Sequence, residues 1–468
     1  MLTILLRNSF VCVRHSAGIT CRELSGSSSR PAQLPQLSPY DVNLILQENE
    51  FEHVFLNNEN TILSYESNQV GSNKPCEDTR TEASFLHKKG FLCGIYDGHG
   101  GPACSQVVSK RLLRYIAASV IDRKVLKDEL AKGCTSQSFL KCHNDQVDFV
   151  KEINTIYEKS FRQFAHRISN RATDNRTYSI ENAFLHLDDD LSYEALEHTN
   201  IRTMSVAMSG AVACVAHIED LDVHVASTGD CGAVMGSLCP ETGQWLLKKL
   251  TNEHNTDNIK EVNRILDQHP IKEHDTVIRN ERLLGQLAPL RALGDFRYKW
   301  SNDIMEKYVI PAFGEHAVPP HYYTPPYLTA LPEVHHHVLN PNDKFLVIAS
   351  DGLWDFLSPL QVVNLVGEHL ASKKIIEPLK LPEEENITLE QISNKLEERK
   401  AGRARKPFDQ NSATHLIRNA LGGTEYGIEH SKISYYLSLP QDVVRLYRDD
   451  ITITVVYFNS DYIKKSLQ

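Results

Sequence analysis

Phe91-Leu92-Cys93-Gly94-Ile95-Tyr96 runs straight into Asp97-Gly98-His99-Gly100-Gly101. The first six residues read as a buried strand, and an acid, a histidine and three glycines close its end. The same arrangement recurs along the chain. Phe345–Ala349 runs into Ser350-Asp351-Gly352, Asp449-Asp450 stands immediately before Ile451–Phe458, and Glu77-Asp78 lies just upstream of another extended segment. Ala211–His217 and Val223–Ser227 add two strands, joined by a link containing Glu219-Asp220 that reads as a hairpin turn. Ser358-Pro359-Leu360-Gln361 carries a capping box with proline at the first helical position, and Val362, Val363, Val366 and Leu370 lie beyond it on one face. Thr388 to Gln391 repeats the capping pattern ahead of Leu389, Ile392 and Leu396. Locally paired strands with helices outside them predict an α+β layered domain.

An Asp-Gly pair by itself is usually a turn. Several such acids at strand ends that finish together are a different matter. Converging carboxylates cannot all stay ionised unless positive charge sits between them. Hard oxygen ligands select Mg²⁺ or Mn²⁺. Two such ions roughly 3.5–4 Å apart clamp an in-line displacement at phosphorus and lower the pKa of a water they share. Glycine after the aspartate leaves room for a backbone carbonyl to approach a metal.

Composition removes other chemistries. The 468 residues are 41% hydrophobic and 24% charged, with a formal charge of -10, which gives no electrostatic footprint for nucleic acid. No apolar run approaches the ~20 residues of a membrane helix. The ten cysteines form no C-x-x-C pair and no zinc-spaced cluster. None has an arginine six positions later, so the phosphate loop of a thiol phosphatase is missing, as are a P-loop and a G-x-S-x-G elbow.

The start of the chain reads as an address. Arg7, Arg14, Arg22 and Arg30, six serines and the single acid Glu23 fall in the first thirty residues, the pattern of a mitochondrial transit peptide. Residues 1–35 are assigned to this leader. Residues 36–468 form one domain with an insertion at about 373–406, since no long linker divides them.

Glu77-Asp78, Asp97-Gly98-His99-Gly100-Gly101, Thr228-Gly229-Asp230, Glu261-x-x-Arg264-Ile265, Arg291-Ala292-Leu293-Gly294-Asp295, Ser350-Asp351-Gly352-Leu353-Trp354-Asp355 and Asp449-Asp450-Ile451-Thr452 resemble, in content and order, the PPM or type-2C metal-dependent protein phosphatases. Pro325–Val334, Asp409-Gln410-Asn411, Ala413–Arg418 and Arg448-Asp449-Asp450 resemble the branch of that family that acts on pyruvate dehydrogenase. The resemblance implies a two-sheet β-sandwich flanked by helix pairs, with two divalent cations, Mg or Mn, in a cleft at one end. It implies that Asp97 bridges the ions, that the Gly98 carbonyl, Asp351 and Asp449 complete their spheres, and that Glu77 acts near the second ion. Asp78, Asp230 and Asp450 become supporting residues, and His99 the acid that protonates the leaving serine oxygen.

The resemblance further implies hydrolysis of phosphoserine on the E1 alpha subunit of pyruvate dehydrogenase in the mitochondrial matrix, without a phosphoenzyme. Docking on the E2 lipoyl domain and a regulatory subunit come with it. Two alternatives stay open: a phosphatase of another matrix complex such as the branched-chain dehydrogenase, or a catalytically silent pseudophosphatase. The sequence departs from the family in three places. Asn73 stands where many members carry a phosphate-gripping arginine, which leaves Asn73 itself, Lys74 or Arg80 as phosphate-binding candidates. Cys231-Gly232 replaces Ser-Arg after Asp230. Ala207 replaces an aspartate used for a third ion. His335-His336-His337 is expected to be solvated, Cys231 to be a buried inert thiol, and the basic residues between Arg399 and Lys406 to form a solvated insert or a docking patch for an acidic partner.

Overall fold

The computed structural model describes residues 36–56, 59–145, 147–170, 175–198, 200–376 and 408–468, with positions 388, 390, 392, 393, 396 and 397 between the last two. The leader, most of the 373–406 insertion, and Leu389 and Gln391 of the Thr388 capping pattern lie outside the described residues.

The main strands are β1 (Phe51–Val54), β2 (Ile62–Val70), β3 (Thr79–Phe85), β4 (Phe91–His99), β5 (Leu140–Cys142) and β6 (Gly210–Glu219). They continue with β7 (Asp222–Thr228), β8 (Gly232–Leu238), β9 (Trp245–Lys249), β10 (Glu333–Val338), β11 (Asp343–Ala349) and β12 (Ile451–Phe458). One antiparallel sheet has the order β1-β2-β12-β11-β8-β9. The other has the order β10-β7-β6-β4-β3-β5, with Leu293–Gly294 also pairing along β6.

Alternation along each strand explains why the sheets stack. In β11, Leu346 and Ile348 join the core shared with Phe91, Leu92 and Ile95 of the other sheet. Phe345, Val347 and Ala349 point the opposite way, into a second core with helices. β12 divides likewise, Val456 and Phe458 inward, Ile453, Val455 and Tyr457 outward. Strands buried on both faces give the unbroken apolar runs seen in the sequence. The result is a four-layer α+β sandwich. Helices α1 (Pro39–Gln47), α5 (Pro359–Ile376) and α6 (Ser412–Gly422) cover the first sheet; α2 (Ala103–Val120), α3 (Lys151–Ser169) and α4 (Arg176–His198) belong to the other side.

The predicted strands all form, each to within a few residues, and the Glu219-Asp220 link is the tight β6–β7 turn with Asp220 at φ 50°. Ser358 caps α5: its backbone N–H donates to Gln361 Oε1 (2.9 Å), and the Gln361 N–H donates to Ser358 Oγ (3.4 Å). Of the histidine run along β10, His335 and His336 are exposed as expected, but two of the three have carboxylate partners. His336 Nε2 meets Asp222 Oδ1 at 2.5 Å and its ring stacks on His224; His337, mostly covered, meets Asp343 Oδ2 at 2.9 Å. Cys231 is buried, as expected. No helix among the described residues is long and apolar enough to cross a membrane.

Candidate metal centre

Four chain segments deliver acids to one end of the sandwich. Asp97 is near the end of β4, Asp230 lies just past β7, Asp351 just past β11, and Asp449-Asp450 leads into β12. Asp97, Asp230 and Asp351 each present a carboxylate oxygen, and the three lie within 4.8 Å of one another. The family resemblance implies a supporting role for Asp230; its carboxylate lies in this group of three, while the Asp449 side chain is partly exposed.

The His99 imidazolium acts on Asp230 and offsets part of the repulsion. Burial first, then neighbouring carboxylates, drive the Asp97 and Asp351 carboxyls well above the ordinary range. The same causes push Asp78 up to about 8, and burial is the main cause that lifts Asp230 to about 6. Asp351 Oδ1 is buried without any hydrogen-bond partner. A buried, unpaired oxygen within a knot of like charge is costly unless a cation satisfies it. Clustered carboxylates with an orphaned oxygen therefore fit a hard divalent cation.

Asp450 organises the loop that carries Glu77. Its Oδ1 accepts from the backbone N–H of Ser72 and Asn73 and from the Ser72 hydroxyl. Its Oδ2 accepts from the Asn73 side-chain amide (3.0 Å) and from the Glu77 N–H (2.8 Å). Burial raises the Asp450 pKa, but these hydrogen bonds outweigh it and hold the carboxylate below its usual range. Asp78 is anchored by the Ser350 hydroxyl at 2.7 Å, and Glu77 Oε1 accepts from the Gly101 N–H at 2.7 Å. Gly98 is required by packing: a Cβ there would sit 2.5 Å from the Glu77 carbonyl and 2.6 Å from Ser105 Oγ. The glycine thus lets β4 close on the Glu77 loop.

His99 Nε2 contacts Asp295 Oδ2. Burial would lower the His99 pKa, and the Asp295 carboxylate more than offsets this and raises it. Asp295 is itself buried at a left-handed φ of 51°, with its N–H bonded to the Ser209 carbonyl. A side chain at Gly210 would overlap both members of the pair. Reasoning from sequence misses this role of Asp295; the clue is an acid after a glycine behind a strand-like Leu293.

Of the phosphate-binding candidates, Arg80 turns away from the cleft. It donates to Ser67 Oγ and the Asn49 carbonyl and pairs with buried Glu82. Asn73 is committed to Asp450, and Lys74 is exposed. A residue not singled out in the sequence occupies the rim instead. Arg445 Nη1 lies 3.2 Å from Glu77 Oε2, and Nη2 lies 3.7 Å from Asp449 Oδ2. Its position four residues before Asp449 on a helical turn is the available signal. Ala207 is fully buried and offers no ligand.

A family model described as protein phosphatase 2C matches residues 143–404. The mitochondrial pyruvate dehydrogenase (acetyl-transferring) phosphatase 1 of Bos taurus is 41% identical over 461 residues, spanning 92% of this chain and 85% of that protein. The chain belongs to the protein phosphatase 2C family. As a phosphatase 2C it also resembles the mitochondrial pyruvate dehydrogenase (acetyl-transferring) phosphatase 2 of Homo sapiens, at 41% identity over 92% of this chain and 84% of that one. A solved serine-threonine phosphatase 2C from Toxoplasma gondii covers 87% of this chain and 99% of its own at TM-score 0.45 and 15% identity. Phosphatase 2C enzymes are metal-dependent, which agrees with the clustered acids. Asp230, Asp295 and Asp351 lie inside the matched span; Glu77, Asp97 and Asp449 lie outside it and reach the same cleft through the fold.

Proposed function

We propose that this phosphatase 2C removes phosphate from phosphoserine on the E1 alpha subunit of pyruvate dehydrogenase in mitochondria, and so reactivates the complex. The observation that carries the chemistry is the cluster of Asp97, Asp230 and Asp351, whose carboxylate oxygens lie within 4.8 Å of one another and of which Asp351 Oδ1 is buried without a hydrogen-bond partner. Identity of 41% across 92% of the chain to relatives named for this activity supports the substrate and the compartment.

Asp97, Asp230 and Asp351, with the Gly98 carbonyl, Glu77 and Asp449 around them, would hold two divalent cations, Mg²⁺ or Mn²⁺. Such ions supply charge for the phosphoryl oxygens and acidify water in the cleft. The protein does the rest. Asp450 fixes the Glu77 loop, and Asp78 is a supporting group tied to Ser350. His99, kept protonated by Asp295, donates its proton to the departing serine oxygen. Water attacks phosphorus directly and no phosphoenzyme forms.

Residues 1–35 are proposed to be the transit peptide. Docking on the E2 lipoyl domain and a regulatory subunit are proposed with the substrate. The test is phosphate release from phosphorylated E1 and from the phosphorylated branched-chain dehydrogenase, with Mn²⁺ or Mg²⁺ and with chelator. Release from E1 that chelator abolishes is expected. Release with chelator present would refute the cation requirement; release from the branched-chain complex alone would reassign the substrate. No release at all would leave a silent pseudophosphatase.

A further inference from the structure

The cleft poses an electrostatic problem for its own substrate. A phosphoryl dianion must approach Glu77, Asp78, Asp97, Asp230, Asp351, Asp449 and Asp450, acids that outnumber the charges two divalent ions bring. His99 is paired with Asp295 and serves the departing serine oxygen, so the incoming phosphoryl oxygens call for a further cation from the protein. Arg80 is bonded into the protein, Asn73 is held by Asp450, and Arg448 donates to the carbonyls of Gly71 and Asp449. Arg445 differs from all of these. Its side chain is 50% exposed, it sits on the rim, and its two terminal nitrogens reach carboxylates on two separate segments, the Glu77 loop and the lead into β12. Neither contact is a short, buried bidentate pair of the kind that locks an arginine in place.

Both partners are also acids that cations would claim. When ions draw on Glu77 and Asp449, the guanidinium loses its attraction to them and keeps its place at the mouth of the cleft. A planar fork of N–H donors suits two phosphoryl oxygens at once. We propose that Arg445 grips the phosphoryl oxygens of the substrate, and that it passes to them from Glu77 and Asp449 as the cleft loads with cations. This rests on the phosphatase reading and adds a residue and a coupling to it: phosphate and cation do not compete for Arg445, they favour each other.

The experiment compares wild type, Arg445→Ala and Arg445→Lys as full chains. Calorimetry measures inorganic phosphate binding to the Mn²⁺-saturated protein and, separately, Mn²⁺ binding without phosphate; kinetics gives KM for a phosphorylated E1 peptide. In Arg445→Ala, phosphate affinity falls and KM rises by about 10- to 100-fold, the effect of losing a charge-assisted hydrogen bond. Mn²⁺ affinity without phosphate does not fall, because the two acids are released. Arg445→Lys recovers part of the phosphate affinity, as a point charge without the fork. Phosphate affinity within twofold of wild type in Arg445→Ala overturns the proposal. So does a fall in Mn²⁺ affinity, which would make Arg445 a brace for the metal ligands. Should Arg445→Ala fail to fold by circular dichroism, Arg445→Gln carries the same test. An inactive wild type sinks the phosphatase reading itself, whereas an active wild type matched by Arg445→Ala sinks only this inference.

Discussion

Two concentrations of charge in the sandwich are built on opposite plans. Beneath α5 and α6, Asp409 takes a bidentate pair from Arg418, whose Nη2 also reaches Asn43 Oδ1 at 2.9 Å. Glu66 is met there by Lys373 and by the Ser412 N–H, and the Ser412 hydroxyl meets His369 Nδ1 at 2.7 Å. Each charge in that network has a partner from the chain itself. At the strand ends, Asp97, Asp230 and Asp351 lie together, and Asp351 Oδ1 is buried without a partner. Acids of the same kind are therefore structural in one place and incomplete in the other. What separates them is whether the protein or the solvent supplies the counter-charge.

Removing a partner should have opposite consequences for stability in the two regions. Arg418→Ala leaves Asp409 buried and unpaired, so unfolding by denaturant should show a loss of about 3–5 kcal/mol. The folded fraction should retain its Mn²⁺ affinity. Asp351→Asn removes a like charge instead, so in chelator the variant should be at least as stable as wild type. Turnover with Mn²⁺ should drop by at least about 100-fold, beyond what outer partners of metal ligands cost. The Mn²⁺-dependent rise in melting temperature should also disappear, a rise that in wild type corresponds to about 2.7 kcal/mol at one hundred times Kd. An Asp351→Asn protein that is less stable than wild type in chelator would mean that the cluster is compensated after all.

The pH dependence should separate the regions in the same way. Asp78 and Asp230 have folded pKa values raised, to about 8 and about 6, by burial first. A carboxyl that binds its proton more tightly when folded adds stability below its unfolded pKa and loses it as pH rises through the folded value. In chelator, stability should therefore increase as pH falls from about 8 toward 6.5. In the network, burial holds His415 down to about 4, with His369 stacked on it. A histidine kept neutral in the fold contributes stability above its unfolded value, lost as pH falls from 6.5 toward 4. Saturating Mn²⁺ should erase the first trend and leave the second. Asp78→Asn should weaken the first, and His415→Asn the second, as read from denaturation midpoints at stepped pH.

The sequence showed Asp97, Asp351 and Asp449 well because each sits at the end of a strand that is apolar on both faces. It could not show that the Asp230 carboxylate joins those of Asp97 and Asp351, since that depends on strand ends from two different sheets. Asp295 and Arg445 escaped for a related reason: one depends on a left-handed turn, the other on a short helical turn outside any strand. The helices over the second sheet were hidden differently. α2 buries Ser105, Ser109, Arg111 and Arg114 along with its apolar residues, so no polar face marks its period. Arg111 is neutralised by Glu194 of α4, a pairing that local spacing does not reveal.

The smallest expected effect probes the scaffold of the compensated network. α5 brings His369 and Lys373 to Glu66 and Ser412, and its first turn is fastened by Ser358 and Gln361. Ser358→Ala should cost about 1 kcal/mol, the usual loss for a helix N-cap. Because His369 and Lys373 sit about three and four turns further along a helix packed through Val362, Val363 and Val366, that loss should stay in the first turn. Hydrogen exchange should quicken near residues 358–363 and leave α6 protected. Exchange that quickens through α6 as well would mean that the network depends on the cap, and that its pairs are weaker than the buried geometry of Asp409 and Arg418 implies.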